Sequence, residues 1–229
     1  MSWPSLAGRR EHALRAVVMA AGIAVLYAAA VVTPWGQLAD DQLLGLMTSA
    51  SLLTRPVADV LRSGLVALPA GVAVTVGVIA VVRGRAWSAV ACATITALST
   101  VLSVALRDVV LVRPLHDLDS GYLYNTYPST HVTVTAALAT SIVVLWPYRT
   151  AHERVVVREG VLAAVVVACV VNVLTFAHRP ADVLGSLLVV GLVTSVAGTA
   201  DPRLVSPRAD VRPVRRDRAP RNDRRRAPA

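Results

Sequence analysis

The chain has 229 residues and a formal net charge of +9, and 55% of its residues are hydrophobic while 16% are charged. Its mean hydropathy is +0.60. Soluble globular domains carry charge on about 25% of their residues, so this composition excludes an ordinary soluble protein and indicates a membrane protein.

Long apolar runs predict membrane-spanning helices, because about 20 mostly apolar residues in helical form cross a bilayer core. In chain order, the six predicted spans are residues 14–32, 64–82, 87–106, 131–147, 160–177 and 183–199. The first run also has features of a cleaved signal peptide: basic residues (Arg9, Arg10 and Arg15), an apolar stretch, and a possible cleavage site at Ala28-Ala29-Ala30. It is longer than the ~7–15 apolar residues of a signal peptide, which favours an uncleaved span. The predicted fold is an all-α, six-transmembrane helix bundle.

The two ends of the chain differ from this membrane domain, which extends over residues 14–200. Residues 1–13 form a short predicted cytoplasmic tail. Residues 201–229 are rich in Arg, Pro and Asp and poor in apolar residues, a composition typical of disorder. Their charge predicts contact with anionic inner-leaflet lipid, and a tail that only fixes orientation is the alternative. No nucleic-acid partner is expected, since no aromatic residues are interleaved with the arginines.

The arginines predict how the chain is oriented. With a cytoplasmic N-terminus and alternating spans, 18 of the 23 basic residues fall on the cytoplasmic side. The positive-inside rule therefore favours a multi-pass protein of the cell membrane with both termini in the cytoplasm. The arginines on the opposite, extracytoplasmic side are Arg55, Arg62, Arg107, Arg113 and Arg179.

The first outer segment contains Asp40 and Asp41 and continues as "LLGLMTSASLLTRPVADVLRSG", residues 43–64. This stretch is partly amphipathic, which predicts a helix lying along the membrane interface.

Three other outer segments carry ionisable side chains at the membrane boundary. They are residues 106–117, 127–133 and 176–186, and alternation of the spans places all three on the same face. Ionisable groups at membrane spans are costly, so their convergence predicts a functional site.

The second of these segments has the features of a phosphate site. Ser129, preceded by a proline, is a good helix N-cap, and a helix N-terminus offers free N–H groups and a positive dipole end. Thr130 adds a hydroxyl and His131 a proton donor. Arg107 and Arg113, from the first segment, supply guanidinium groups that match phosphate oxygens.

The third segment supplies a histidine and a carboxylate four residues apart, His178 and Asp182, which share a face if the turn is helical. A carboxylate that accepts from one ring nitrogen fixes the tautomer and leaves the other nitrogen as a nucleophile. With His131 as an acid, this set suits attack on phosphorus without a metal or cofactor. The surrounding arginines would repel a divalent cation.

These residues resemble the three motifs of the type 2 phosphatidic acid phosphatase (PAP2) superfamily of integral membrane lipid phosphatases. The family pattern is Lys-x6-Arg-Pro, then Pro-Ser-Gly-His, then Ser-Arg-x5-His-x3-Asp. This chain has "RP" at 113–114, "PSTH" at 128–131 and "HRPAD" at 178–182, in the same order. The resemblance implies a PAP2-like six-span fold.

The resemblance also implies a role for each matching residue. His178 matches the nucleophile that forms a phosphohistidine, Asp182 the carboxylate that orients it, and His131 the acid that protonates the leaving oxygen. The positions that hold the phosphate are matched by Arg113, Ser129 and the backbone at Thr130.

The chain departs from the family pattern at several positions. Leu106 stands where the family has lysine, and Arg107 follows one position later, about 100° round a helix. Thr130 replaces a glycine, and Val171-Asn172 replaces the Ser-Arg pair. We expect Arg107, Asn172 and Arg179 to supply the missing phosphate contacts.

The function implied by the resemblance is hydrolysis of a lipid phosphate or pyrophosphate at the outer membrane face. The family's substrates include phosphatidic acid, phosphatidylglycerol phosphate and polyprenyl pyrophosphates. One alternative is a phosphotransferase, in which an alcohol replaces water. Another is a non-catalytic lipid-phosphate-binding protein with a decayed site, which Leu106 and Asn172 favour. Transport is disfavoured because charges are absent near the predicted midplanes of the spans.

Overall fold

The computed structural model describes residues 6–49, 55–114 and 125–206, and within these ranges it contains helices and no strand. The α-helices are α1 Leu6–Leu26, α2 Pro34–Ser49, α3 Arg55–Val82, α4 Ala86–Ala105, α5 Thr130–Leu145, α6 Ala151–Leu174 and α7 Pro180–Ala200. Two π-helical turns, Tyr27–Val32 and Leu106–Val110, extend α1 and α4. The predictions for most of the arginine-rich tail, residues 207–229, lie outside the described residues.

Five stretches in the described ranges are long and apolar enough to cross a membrane: Ala7–Val32, Pro56–Val82, Ala86–Val110, Ala151–Leu174 and Pro180–Ala200. These helices are compatible with a multi-pass membrane protein, but the predicted count of six is not reached. The predicted span 131–147 corresponds to α5, which has 16 residues. At about 1.5 Å per residue α5 is shorter than the ~30 Å hydrocarbon core. It ends at Leu145 because Pro147 disfavours helical backbone before it.

The short helix α5 is the centre of the bundle. It packs against α3, α4, α6 and α7, and ten of its 16 residues are buried. Many of these residues are Ala, Ser and Thr, which let neighbouring helices approach closely. The first turn of α5, which carries the predicted phosphate site, is therefore fixed by the four helices around it.

The predicted interfacial segment divides between two helices. Helix α2 packs against α6 and α7 and buries Gln37, Asp40, Leu44 and Thr48. The later part of the segment, from residue 56, belongs to the candidate span that α3 forms. Residues 56–64 of the stretch predicted to lie along the interface are therefore part of a candidate span, since α3 begins before the predicted span 64–82.

Helices α1 and α7 pack closely along their length because small residues line the contact. A Cβ on Gly22 would lie 3.3 Å from Leu188, one on Gly191 would lie 2.9 Å from Met19, and one on Gly198 would lie 2.5 Å from the His12 ring. Such contacts are typical of helices that associate in membranes. They hold α7 in place, and α7 carries Asp182 in its first turn.

Candidate active site

The three polar segments that alternation places on one face meet at one end of the helix bundle. Arg113 follows the π-helical turn of α4, Ser129 caps α5, and Asp182 lies in the first turn of α7. Arg113 contacts the Asp182 carboxylate, and the Ser129 N–H donates to the Asp182 carbonyl at 3.1 Å. The loop from α6 to α7, which carries His178, completes the site.

Asp182 is the centre of this site and is fully buried. Its Oδ1 accepts a hydrogen bond from Arg113 Nη2 at 3.2 Å. Its Oδ2 accepts from the backbone N–H of Arg179 at 3.0 Å and from the hydroxyl of Thr126. Hydrogen bonds to an ionised carboxylate are strong, so these donors fix its orientation. Thr126 had no predicted role, because it stands outside the three motifs.

His178 approaches the same carboxylate. Its Nδ1 lies 3.8 Å from Asp182 Oδ2, which is longer than a hydrogen bond but close enough for a strong attraction when the ring is protonated. His178 is buried and lies two residues before the first residue of α7. His178, in the loop before α7, therefore approaches Asp182 in the first turn of α7, and the two residues do not lie along one face of the same helix.

The turn that presents His178 is held by backbone hydrogen bonds. Helix α6 ends at Leu174, and Phe176 adopts a φ of 55°, in the left-handed region that bulky residues rarely occupy. The N–H groups of Ala177 and His178 both donate to the carbonyl of Asn172 at 3.1 Å. Asn172 thus supports the position of His178 through its backbone.

Two of the predicted phosphate ligands make contacts within the protein. Asn172 Nδ2 donates to the carbonyl of Ala168 at 2.8 Å, one turn back on α6. Arg179 Nε forms an ion pair with Asp41, and the Arg179 side chain is 1% exposed. Binding of phosphate by Asn172 and Arg179 stays a prediction, since both side chains already have protein partners.

The N-terminus of α5 is tied to α7 through Ser129. The Ser129 hydroxyl accepts from the Val132 N–H at 3.4 Å, which confirms the predicted N-cap. Ser186 Oγ donates to the Ser129 carbonyl at 2.8 Å. His131 follows in the first turn of α5 and is exposed. An accessible histidine and a buried one therefore flank the same end of the bundle.

Arg107 reaches the start of α5 although it stands one position after the family's lysine. It lies in the π-helical turn Leu106–Val110, a wider turn that is frequent at functional sites. Its Nη1 donates to the Thr130 hydroxyl at 3.0 Å, and it pairs with Asp108 through two hydrogen bonds of 2.7 and 3.1 Å. The side chains of Arg107 and Thr130, both predicted phosphate ligands, therefore lie together.

Arg113 is a buried cation, and some of its hydrogen-bond donors have no partner in the described part of the chain. Its side chain is 1% exposed. Among the described residues, Nε and Nη1 have no hydrogen-bond partner. Burial lowers the pKa of Arg113 from its ordinary value, while the negative charge of Asp182 opposes that shift. Unsatisfied buried donors are unfavourable, so this guanidinium is suited to an anion with several oxygens.

Two acidic residues that were given no chemical role contact the site. Asp40 Oδ1 accepts from the Ala181 N–H at 3.0 Å, and Asp41 pairs with Arg179. Burial raises the pKa of Asp40 to about 6, and its hydrogen bond with Ala181 opposes the shift. The signal in the sequence was helical spacing, since Gln37, Asp40 and Asp41 fall on one face of a helix.

Gly185 allows Tyr127 to pack directly against α7. A Cβ at this position would lie 2.4 Å from the Tyr127 ring. Tyr127 is fully buried, and its hydroxyl donates to the carbonyl of Ile23 at 3.2 Å. The ring therefore has little room to move, and it fixes the chain that leads into Ser129.

We expect Gly185→Ala to reduce the free energy of unfolding by about 1–3 kcal/mol, the usual effect of overpacking a core. Denaturant titration of the purified protein in detergent measures this change. Gly160→Ala is the matched control, because nothing lies within 4 Å of a Cβ at Gly160 in α6. A Gly185→Ala protein as stable as the Gly160→Ala control would contradict the close packing.

Comparisons with known proteins give no further assignment, since no protein-family model, curated protein or solved structure matches the chain. In the described ranges, no three side chains of His, Cys, Asp or Glu form a group that could hold a metal ion. The predicted site groups at this end of the bundle are two histidines, three arginines, the Asp182 carboxylate and the α5 N-terminus, with Asp40 and Asp41 beside them. Groups of these types are suited to a phosphate-like anion and to proton transfer.

Proposed function

We propose that this protein is a membrane phosphatase that hydrolyses a lipid phosphate or pyrophosphate through a phosphohistidine. The observation that carries the proposal is the buried arrangement of Asp182, Arg113 and His178. Asp182 holds Arg113 at 3.2 Å and lies 3.8 Å from His178. The resemblance to the PAP2 motifs supports the same residues in the same roles.

His178 is the proposed nucleophile. Its Nδ1 faces the Asp182 carboxylate, which stabilises the positive charge that develops on the ring. Nε2 attacks the terminal phosphorus, and the bond from that phosphorus to the leaving oxygen breaks. The leaving oxygen, which is the lipid oxygen of a monophosphate or the bridging oxygen of a pyrophosphate, takes a proton from His131. The products of this first step are the free lipid alcohol, or a lipid monophosphate from a pyrophosphate, and a phosphohistidine.

Water completes the reaction in the second step. Its oxygen attacks phosphorus while His131, now neutral, accepts a water proton, and the bond to His178 Nε2 breaks. Inorganic phosphate leaves, and both histidines return to their starting states. His131 suits this exchange of protons because it is exposed at the first turn of α5, whereas His178 is buried.

The phosphate charge is balanced by groups that are already in place. Arg113 offers Nε and Nη1, which have no partner in the described part of the chain. The N-terminus of α5 contributes backbone N–H groups and the positive end of its dipole. Arg107, bound to Thr130, adds a second guanidinium at the edge. Fixed donors of this kind stabilise the charge that builds up in the transition state.

A non-catalytic lipid-phosphate-binding protein is the second candidate, and one observation favours it. Asn172 stands where the family has an arginine, and its side-chain amide donates to the Ala168 carbonyl on its own helix. The site would then bind phosphate through Arg113 and the α5 N-terminus without transferring it. A phosphotransferase would use the same first step, with an alcohol as the acceptor in the second.

Phosphate release tests the proposed function directly. Purified protein in mixed micelles is given phosphatidic acid, phosphatidylglycerol phosphate or a polyprenyl pyrophosphate, with a chelator and with or without an added alcohol. We expect release of inorganic phosphate from at least one lipid without a metal, and its loss in His131→Ala. The control is His152→Ala, an exposed histidine in the first turn of α6.

The other outcomes distinguish the rival functions. No release from any lipid, together with saturable binding of the same lipids, would contradict catalysis and support the binding protein. Turnover only with an added alcohol would indicate the phosphotransferase. Turnover that the chelator abolishes would contradict a metal-free site.

A further inference from the structure

One face of α2 contacts all three segments of the candidate site, although α2 contains none of the three motifs. The residues of this face follow helical spacing: Gln37, Asp40, Asp41 and Leu44. Gln37, Asp40 and Leu44 are buried, and Asp41 has a side chain that is 13% exposed. A face of this kind at i, i+3, i+4 and i+7 is normally apolar, so three polar residues in it call for an explanation.

Two of these residues anchor α2 to the site. Gln37 Nε2 donates to the carbonyl of Pro114 at 2.6 Å, directly after Arg113. Leu44 belongs to an apolar cluster with Val132, Val173 and Val183. Each of these valines directly follows a predicted site residue.

Asp40 and Asp41 contact the loop that carries the proposed nucleophile. Asp40 Oδ1 accepts from the Ala181 N–H at 3.0 Å. Asp41 Oδ1 pairs with Nε of Arg179, the residue that follows His178. The turn itself includes Phe176 in the left-handed region, so local preference does not explain its conformation. Asp40 and Asp41 therefore add contacts from α2 to a turn that also has backbone hydrogen bonds to Asn172.

We propose that Asp41 is a positioning residue, which holds the His178–Arg179 segment against Asp182 through its ion pair with Arg179. The consequence for catalysis rests on the proposed function. Displacement of a reacting group by about 1 Å can reduce a rate on the order of 100-fold, so a restraint on this turn affects turnover more than binding. In the proposed mechanism Arg113, Arg107 and the α5 N-terminus hold the phosphate, and in the described ranges no hydrogen bond or ion pair joins Asp41 to Arg113 or Arg107.

The kinetic test compares Asp41→Asn, Asp41→Glu, Arg179→Gln and the Asp41→Asn/Arg179→Gln double variant. We expect Asp41→Asn to lower kcat by about 10- to 100-fold with KM within about twofold, since positioning affects the reacting geometry. Asp41→Glu should recover most of kcat because it retains the carboxylate. The kcat of the double variant should be no lower than that of the less active single variant, since both changes break the same ion pair.

Glu11→Gln is the matched control, because Glu11 forms an exposed ion pair with Arg15 on α1. This variant should retain wild-type kcat and KM. An Asp41→Asn protein with wild-type kcat would overturn the proposal. So would a loss of kcat that Asp41→Glu does not recover, or losses that multiply in the double variant.

Backbone hydrogen exchange of the 175–183 segment gives a readout that does not depend on activity. Faster exchange there in Asp41→Asn than in Glu11→Gln would support the positioning role, and unchanged exchange would overturn it. If the wild-type protein releases no phosphate, the proposed function fails, while the exchange result still decides whether Asp41 holds the segment.

Discussion

Replacement of His178 by glutamine is expected to reduce kcat for phosphate release by on the order of 10⁴-fold or more, because the nitrogen proposed to attack phosphorus is lost. The fold should change little. His178 Nδ1 has no hydrogen-bond partner in the described ranges, and glutamine is similar in length. We expect the thermal midpoint to move by less than about 3 °C, equivalent to a change near 1 kcal/mol.

The measurement is steady-state phosphate release at saturating lipid, beside a melting curve of the same preparation in detergent. The His152→Ala variant, changed at an exposed site, controls for loss during purification. Activity of His178→Gln within tenfold of wild type would remove His178 from the chemistry. A large fall in the melting temperature would instead assign it a structural role.

Replacement of Asp182 by asparagine should reduce both stability and activity. It leaves the buried Arg113 without its ion-pair partner, and breaking a buried ion pair in this way costs about 3–5 kcal/mol. Loss of the carboxylate that orients a catalytic histidine reduces kcat on the order of 10⁴-fold in hydrolases with a Ser-His-Asp triad. Denaturant titration and phosphate release measure the two effects separately.

The double variant Asp182→Asn/Arg113→Met separates the electrostatic cause from general damage to the core. Removal of both charges leaves no uncompensated ion, and buried ion pairs replaced as a unit are often close to neutral in stability. We therefore expect the double variant to recover most of the stability lost in Asp182→Asn and to remain inactive. A double variant that loses the sum of both single effects would show that the ion pair is not the cause.

Hydropathy predicted most of the fold, because apolar runs of span length are rare outside membrane helices. It predicted the helix ends poorly. Helix α6 begins at Ala151, nine residues before the predicted span, since charged residues such as Arg154 and Arg158 continue a helix beyond the apolar run. Hydropathy also does not distinguish an apolar helix that crosses the membrane from one that is buried among other helices. For this reason α5, which is surrounded by four helices, was predicted as a full span.

The site was predictable where one short motif supplies the residues in order. Ser129 caps α5, Thr130 and His131 begin it, and Arg113 reaches Asp182 as the order of the spans implies. The contribution of α2 was not predictable from a motif, because Asp41 pairs with a residue 138 positions away. The spacing of the polar residues in α2 indicates that they share one face of the helix, but it does not indicate which residues that face contacts.

The covalent intermediate tests the central proposal most directly. Wild-type protein is mixed with a lipid phosphate labelled on phosphorus, stopped with alkali within a single turnover, and digested to locate the label. We predict an acid-labile, alkali-stable label on the peptide that contains His178, and none in His178→Gln. A label on another residue, or turnover by the wild-type protein without any covalent label, would contradict the phosphohistidine mechanism.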